Sequence, residues 1–207
     1  LAAFRTGKID VMANINWDEL KSLAPIQDKI KVIEHPDYAG EALAMRVDAP
    51  PFDNQKVRLA LNLAVDRAAI SKQIYGGHAD FPHLPMDETW EGYFTPPEKM
   101  PNEAREVLQY DPAKAKKLLA EAGLANGFEF KAQVPSFPEQ LKKAQIVAGY
   151  LSAIGVKMTI EPKEYGAFLS LMTTGKHGPG YWHFAGMSNP TASIEKLYRS
   201  FSVWNSA

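Results

Sequence analysis

Phe128-Glu129-Phe130-Lys131-Ala132-Gln133-Val134 and Val156-Lys157-Met158-Thr159-Ile160 decide how this 207-residue chain folds. Each alternates large apolar with polar residues, the period-two pattern of a strand with one covered face. Between them, Ser136 and Glu139 have capping-box spacing ahead of a helix carrying Leu141, Ala144, Ile146, Val147 and Leu151, which Gly155 ends. Upstream, Asp111-Pro112 pairs a helix cap with proline at the first helical position. Ala115, Leu118, Leu119 and Ala122 give that helix a buried stripe, and Gly123 stops it. Downstream, Glu164 to Thr174 reads as helix, Tyr181 to Met187 as an apolar and aromatic strand, and Ala192 to Phe201 as a final helix. Helices alternating with strands predict an α/β fold with a mixed, largely parallel sheet covered by helices.

The first half reads differently. Lys8 to Met12, Lys29 to Glu34 and Ala42 to Val47 have strand composition, and Asn16 with Glu19 forms a second capping box for a helix through Leu23, closed by Pro25. From Asn54, Val57, Leu61, Ala64 and Val65 fall on one helical face. Asp66 opens another helix with Ile70 and Ile74 inward, ended by Gly76-Gly77. Residues 78–109 carry Pro82, Pro85, Pro96, Pro97 and Pro101 among Phe81, Trp90, Tyr93 and Phe94 with little periodicity, a long irregular loop of the kind that often holds function.

Composition narrows the function. Apolar residues are 45% of the chain and charged residues 23%, as in folded globular domains. At this length one core buries roughly 70% of the unfolded surface, so one large domain is as plausible as two small ones. The net charge of −1 provides no overall field for nucleic acid. The longest mostly apolar stretch, Ala144 to Val156, falls short of the roughly 20 residues a spanning helix needs. With no cysteine, disulfides, thiolate nucleophiles and cysteine-based metal centres are excluded. His78 and His83 share a loop with Asp80 and Asp87 but lack helical H-E-x-x-H spacing, and no G-x-S-x-G elbow occurs, so neither a metal nor a catalytic residue is expected. Gly175-Lys176-His177-Gly178-Pro179-Gly180 lacks Walker spacing and reads as a tight turn. Open α/β sheets bind ligands beyond the carboxyl ends of their strands, which directs attention to Tyr181-Trp182-His183-Phe184-Ala185-Gly186-Met187-Ser188-Asn189-Pro190. The chain starts at Leu1, within what reads as a last helical turn, and is expected to be part of something longer.

Pro50-Pro51-Phe52-Asp53-Asn54-Gln55-Lys56-Val57-Arg58-Leu59-Ala60-Leu61-Asn62-Leu63-Ala64-Val65-Asp66-Arg67 resembles the most recognisable stretch of the peptide- and nickel-type extracellular solute-binding proteins (family 5) of ABC importers. Tyr110 to Gly123 and Thr6 to Asp10 are similar to two further family stretches, in order along the chain. The resemblance implies one lobe of a two-lobed periplasmic-binding-protein-like fold, the inserted lobe. It also implies a periplasmic or extracellular receptor, lipid-anchored in some cases, that has no chemical step and no cofactor. Its partners would be a small-molecule or peptide ligand, the second lobe of the same protein and an ABC permease. A hydrolase using the same groove, a peptide chaperone or sensor module, and a nickel-binding version are the rival readings.

Two departures from the family pattern bear on the ligand. Peptide-binding relatives carry an Asp for the peptide α-amine where this chain has Gly186, with His183 at the family's Trp and Met187 at its Tyr. Arg46 stands where Asn is common before the Pro-Phe turn, and its planar fork suits carboxylates. The expected ligand-binding set is therefore His183, Phe184, Gly186, Met187, Ser188, Trp90 and Arg46, favouring a carboxylate-bearing solute with apolar surface and no obligatory amine. The alternative for Arg46 is a surface salt bridge, and for Trp182, Phe184 and Ala185 simple burial.

Overall fold

A computed structural model describes residues 1–13, 15–34, 40–79, 92–185, 191–192 and 194–195. The chain divides into two compact units, Leu1–Pro36 with Ala68–Asp80, and Asp37–Arg67 with Phe81–Ala207.

The smaller unit is helical. It contains α1 (Ala2–Arg5), α2 (Trp17–Lys21) and a 3-10 segment Ala24–Lys29. The capping box forms as expected: the Glu19 N–H donates to Asn16 Oδ1 at 2.8 Å and the Asn16 N–H donates to Glu19 Oε2 at 3.2 Å. The helix expected through Leu23 ends at Lys21, and Pro25 sits in the first turn of the 3-10 segment that follows. The strands expected at Lys8–Met12 and Lys29–Glu34 are absent. Their apolar residues have no cover, Val11 being 80% exposed and Ile33 71%. A strand needs a ladder partner for its N–H and C=O groups, and alternation alone does not supply one. The unit also holds most of a helix that starts in the larger one, where the inward residue is Ser71, with Ile70 and Ile74 half-buried. Ser71 is satisfied by donating its hydroxyl to Ala79 O at 2.7 Å.

In the larger unit, chain order runs β1 (Gly40–Met45), α3 (Gln55–Leu63), α4 (Arg67–Tyr75, shared with the smaller unit), α5 (Asn102–Glu106), α6 (Pro112–Glu121), β2 (Phe128–Pro135), α7 (Pro138–Ser152), β3 (Val156–Lys163), α8 (Tyr165–Thr173) and β4 (Gly180–Ala185). Part of the irregular segment expected over 78–109 is thus ordered: Pro97–Lys99 is a 3-10 turn and α5 follows it. Residues 80–91 lie outside the described set, as does most of the helix expected at Ala192–Phe201.

The four strands lie in the order β1-β4-β2-β3. β2 runs parallel to both β3 and β4, and β1 closes the edge antiparallel to β4, so the sheet is mixed and largely parallel as expected. From β2 the chain moves one way across the sheet to β3 and then back over β2 to β4. Right-handed crossovers in opposite directions must lay their helices on opposite faces. Successive strand residues record this. Tyr181 packs with Phe168 and Met172 of α8, whereas its neighbour Trp182 reaches a cluster tied to α7. Phe130, Ala132, Val134, Val156 and Met158 are buried on one face; on the other Gln133 and Tyr181 are buried, and Glu129–Lys157 and Lys131–Glu161 pair, each at 2.9 Å.

Helix caps mostly follow the sequence. Asn54 Oδ1 accepts from the Lys56 N–H, and Asp111 Oδ1 from the Lys114 N–H at 2.8 Å with Pro112 at the first helical position. The Asp111→Ala variant is expected to lose about 1 kcal/mol in urea unfolding, the usual effect of deleting such a cap. At α7 the expected Ser136 box does not form. Phe137 occupies the cap with no side-chain hydrogen bond, because the Ser136 N–H is taken by Lys163 O at 2.8 Å, extending the β2–β3 ladder by one residue.

Candidate functional site at the carboxyl ends of the strands

The carboxyl ends of β2, β3 and β4 share one edge of the sheet, and the antiparallel β1 brings its amino end, Gly40-Glu41, to the same edge. Around this edge the chain leaves β2 toward α7 and β3 toward α8, on opposite faces. Phe137 and Tyr165, the residues at those two exits, touch through their rings at 5.2 Å and remain 44% and 41% exposed.

β4 is held unevenly. Its parallel ladder to β2 takes in Gly180 and Tyr181, opposite Ala132 and Gln133, while its antiparallel ladder to β1 continues through Ala185. Continued register would bring Pro135 opposite His183, and proline has no N–H to donate. The carboxyl half of β4 therefore leans on β1.

Beneath that half lies a polar cluster. Glu41 Oε2 accepts the Trp182 indole N–H at 2.6 Å; its Oε1 accepts from Lys143 Nζ at 2.8 Å and from Gln140 Nε2 at 3.2 Å. Lys143, with its side chain 8% exposed, also pairs with Glu139 at 2.6 Å. A buried ammonium group is tolerated only when paired in this way.

The expected ligand-binding residues are distributed as follows. His183 sits in β4 opposite Ala42, half-buried, with its ring edge-on to Tyr181 at 5.9 Å. Phe184 is paired through its backbone with Glu41. Gly186, Met187, Ser188 and Trp90 lie outside the described residues. Arg46 is at the other end of the sheet. Its N–H donates to Pro179 O, just beyond the Met45–Gly180 pair, four residues along β1 from the position opposite His183, or about 13 Å at strand rise. There it forms the salt bridge given as its alternative: Arg46 Nε donates to Asp48 Oδ1 at 2.9 Å, which holds the Asp48 carboxyl below the usual carboxylate range. The structure does not bring Arg46 together with His183. Trp182, 4% exposed, is buried against the polar cluster.

The sequence reading missed Glu41, Lys143 and the Phe137–Tyr165 rings. A signal for Lys143 existed, since it precedes Val147 by four residues and Leu151 by eight, on the stripe where both are buried. Of the two histidines weighed for a metal, His78 stacks on Trp17 at 3.7 Å and approaches Glu34 at 3.4 Å, and His83 lies outside the described residues; buried His177 places Nδ1 3.0 Å from Gly178 O in the turn before β4. Among the described residues no group of three or more His, Asp or Glu is placed to hold a metal ion, and no helix is long and apolar enough to cross a membrane.

The described residues form a mixed, largely parallel sheet covered by helices, the architecture of one lobe of the two-lobed periplasmic binding proteins it resembles in structure. The chain belongs to the bacterial extracellular solute-binding proteins, family 5, whose middle segment matches residues 1–203. It is 29% identical over 211 residues to the heme-binding protein A of Haemophilus influenzae, an alignment covering 99% of this chain and 37% of that protein. To the dipeptide-binding protein of Escherichia coli K12 it is 33% identical over 157 residues, covering 73% of this chain and 28% of that one. In structure it is similar to the ABC transporter-associated periplasmic binding protein DppA from Helicobacter pylori, solved in complex with peptide STSA. The TM-score is 0.78 at 29% identity, over 95% of this chain and 37% of that one. The chain thus spans between 28% and 37% of the length of these relatives.

Proposed function

We propose that this chain is one ligand-binding lobe of the solute-binding component of an ABC importer, capturing a small peptide-like or carboxylate-bearing solute and passing it to a membrane permease. On this reading residues 1–207 act as one lobe, a second lobe of the same protein closes over the strand exits, and the protein works in the periplasm or outside the cell. A lipid anchor, where present, would hold it at the membrane. The observation that carries the reading is the family match along residues 1–203 in a chain whose strand exits and exposed rings meet at one sheet edge. Relatives named for dipeptides and for heme support a solute with both hydrogen-bonding and apolar surface.

Within this reading His183, Phe184, Gly186, Met187, Ser188 and Trp90 remain the proposed ligand-contacting set, with no obligatory amine on the solute. Arg46 is the weakest member, being paired with Asp48 at the far end of β1. The test is calorimetry on the longer protein carrying this chain, comparing Met-Leu with N-acetyl-Met-Leu. Gly186 offers no carboxylate to a buried ammonium, so the two are expected to bind within about threefold of each other, well under the tenfold that corresponds to 1.4 kcal/mol. Tight binding of the free dipeptide with loss of the acetylated one would overturn the amine-independent reading.

A further inference from the structure

The polar cluster beneath β4 does more than satisfy a buried lysine. Three elements converge on one carboxylate: Glu41 belongs to β1, accepts the indole N–H of Trp182 from β4, and accepts from Lys143 and Gln140 of α7. This convergence takes in Trp182, the first residue of β4 beyond its ladder with β2 and three residues before the strand ends at Ala185. From there the backbone enters the segment that contains most of the proposed ligand contacts. On the side facing β2, Pro135 stands where the next ladder bond would form. The separation between the free half of β4 and the rest of the sheet is therefore governed from the other side, by β1 and its link to α7.

We propose that Glu41 and Lys143 are positioning residues for the carboxyl half of β4, which carries the proposed ligand contacts His183 and Phe184. Together they fasten the carboxyl half of β4 through Trp182 to α7. The proposal rests on the solute-binding reading for its purpose, but its mechanical content does not. The charges suit the task. Lys143 lies between Glu41, whose side chain is 22% exposed, and Glu139, which is 59% exposed in the first turn of α7. The Glu41–Lys143 contact is shielded from salt while the Glu139 contact is open to it. A guanidinium could span both carboxylates with its fork, whereas a thioether of similar length could reach neither.

The test is site-resolved amide hydrogen exchange on the full chain without solute, together with the indole N–H resonance of Trp182. In Lys143→Met, amides of residues 182–185 are expected to exchange at least tenfold faster, with those of 128–134 and 156–161 within twofold of the parent, and the Trp182 resonance is expected to move. Lys143→Arg should restore residues 182–185 to within threefold. Glu41→Gln keeps an oxygen for the indole and removes the charge; it should give the same pattern with smaller amplitude, and it carries the test if Lys143→Met does not fold. Uniform acceleration across all four strands would reduce the cluster to an ordinary stabilising contact and overturn the proposal, as would unchanged exchange at 182–185. Because no solute is present, failure here is distinct from failure of the calorimetric comparison.

Discussion

The Phe52→Ala variant is expected to lose about 3–5 kcal/mol of unfolding free energy, the range for removing a fully buried aromatic ring from a core that cannot collapse around the space. Phe52 is 0% exposed and meets two rings of β2 edge-on, Phe130 at 5.1 Å and Phe128 at 5.9 Å. Its backbone is also held: the N–H donates to Ala49 O at 3.0 Å, and Arg58 of α3 donates to its carbonyl at 2.7 Å. The Pro-Phe turn therefore does physical work in this fold, bolting α3 to the start of β2. Urea unfolding is the measurement. Phe52→Leu should recover more than half of the loss, since it restores most of the volume without the edge-to-face contacts. A loss below about 1 kcal/mol for the alanine variant would show that the ring is dispensable, contrary to the usual effect of core truncation.

Gly127→Ala should be damaging for a different reason, and of similar size. Gly127 has φ +75°, and a Cβ built there would stand 1.8 Å from the carbonyl oxygen of Gly155. The entry to β2 and the entry to β3 cross at these two glycines, directly before the first register pair, Phe128 with Val156. The left-handed backbone costs an alanine about 1–2 kcal/mol, and relieving the overlap by moving backbone adds about 1–3 kcal/mol. A total near 3 kcal/mol is expected in the same unfolding experiment. Gly123→Ala is the control. It shares a positive φ of +80° but has open space around its Cβ, so it should show the backbone penalty alone. Equal losses at the two positions would sink the argument from crossing strands.

Much of the fold is legible residue by residue, and the failures are instructive. Asn16 and Asp111 cap their helices as their spacing implies, and the alternation at Phe128–Val134 and Val156–Ile160 marks real strands. Ser136 fails as a cap because its N–H has a better use in the sheet. Lys8–Met12 and Lys29–Glu34 fail as strands: among the described residues neither joins a ladder. Neither outcome can be read within a window of a few residues. The site shows the same division. The place of His183 in a strand was legible from the alternating α/β pattern, while Glu41 escaped notice because its partners lie 99, 102 and 141 residues away.

The sequence by itself determined the helix and strand periods, most of the caps, the glycine stops and the family, because each is recorded locally or in short colinear motifs. Only the tertiary structure decided the strand order β1-β4-β2-β3, the separation of Arg46 from the exit of β4, and the burial of Lys143 between two carboxylates. The physical reason is that register and strand order are set by hydrogen bonds and packing between residues far apart in the chain. A charge placed on an apolar stripe shows its meaning only when the opposite charge arrives from another strand.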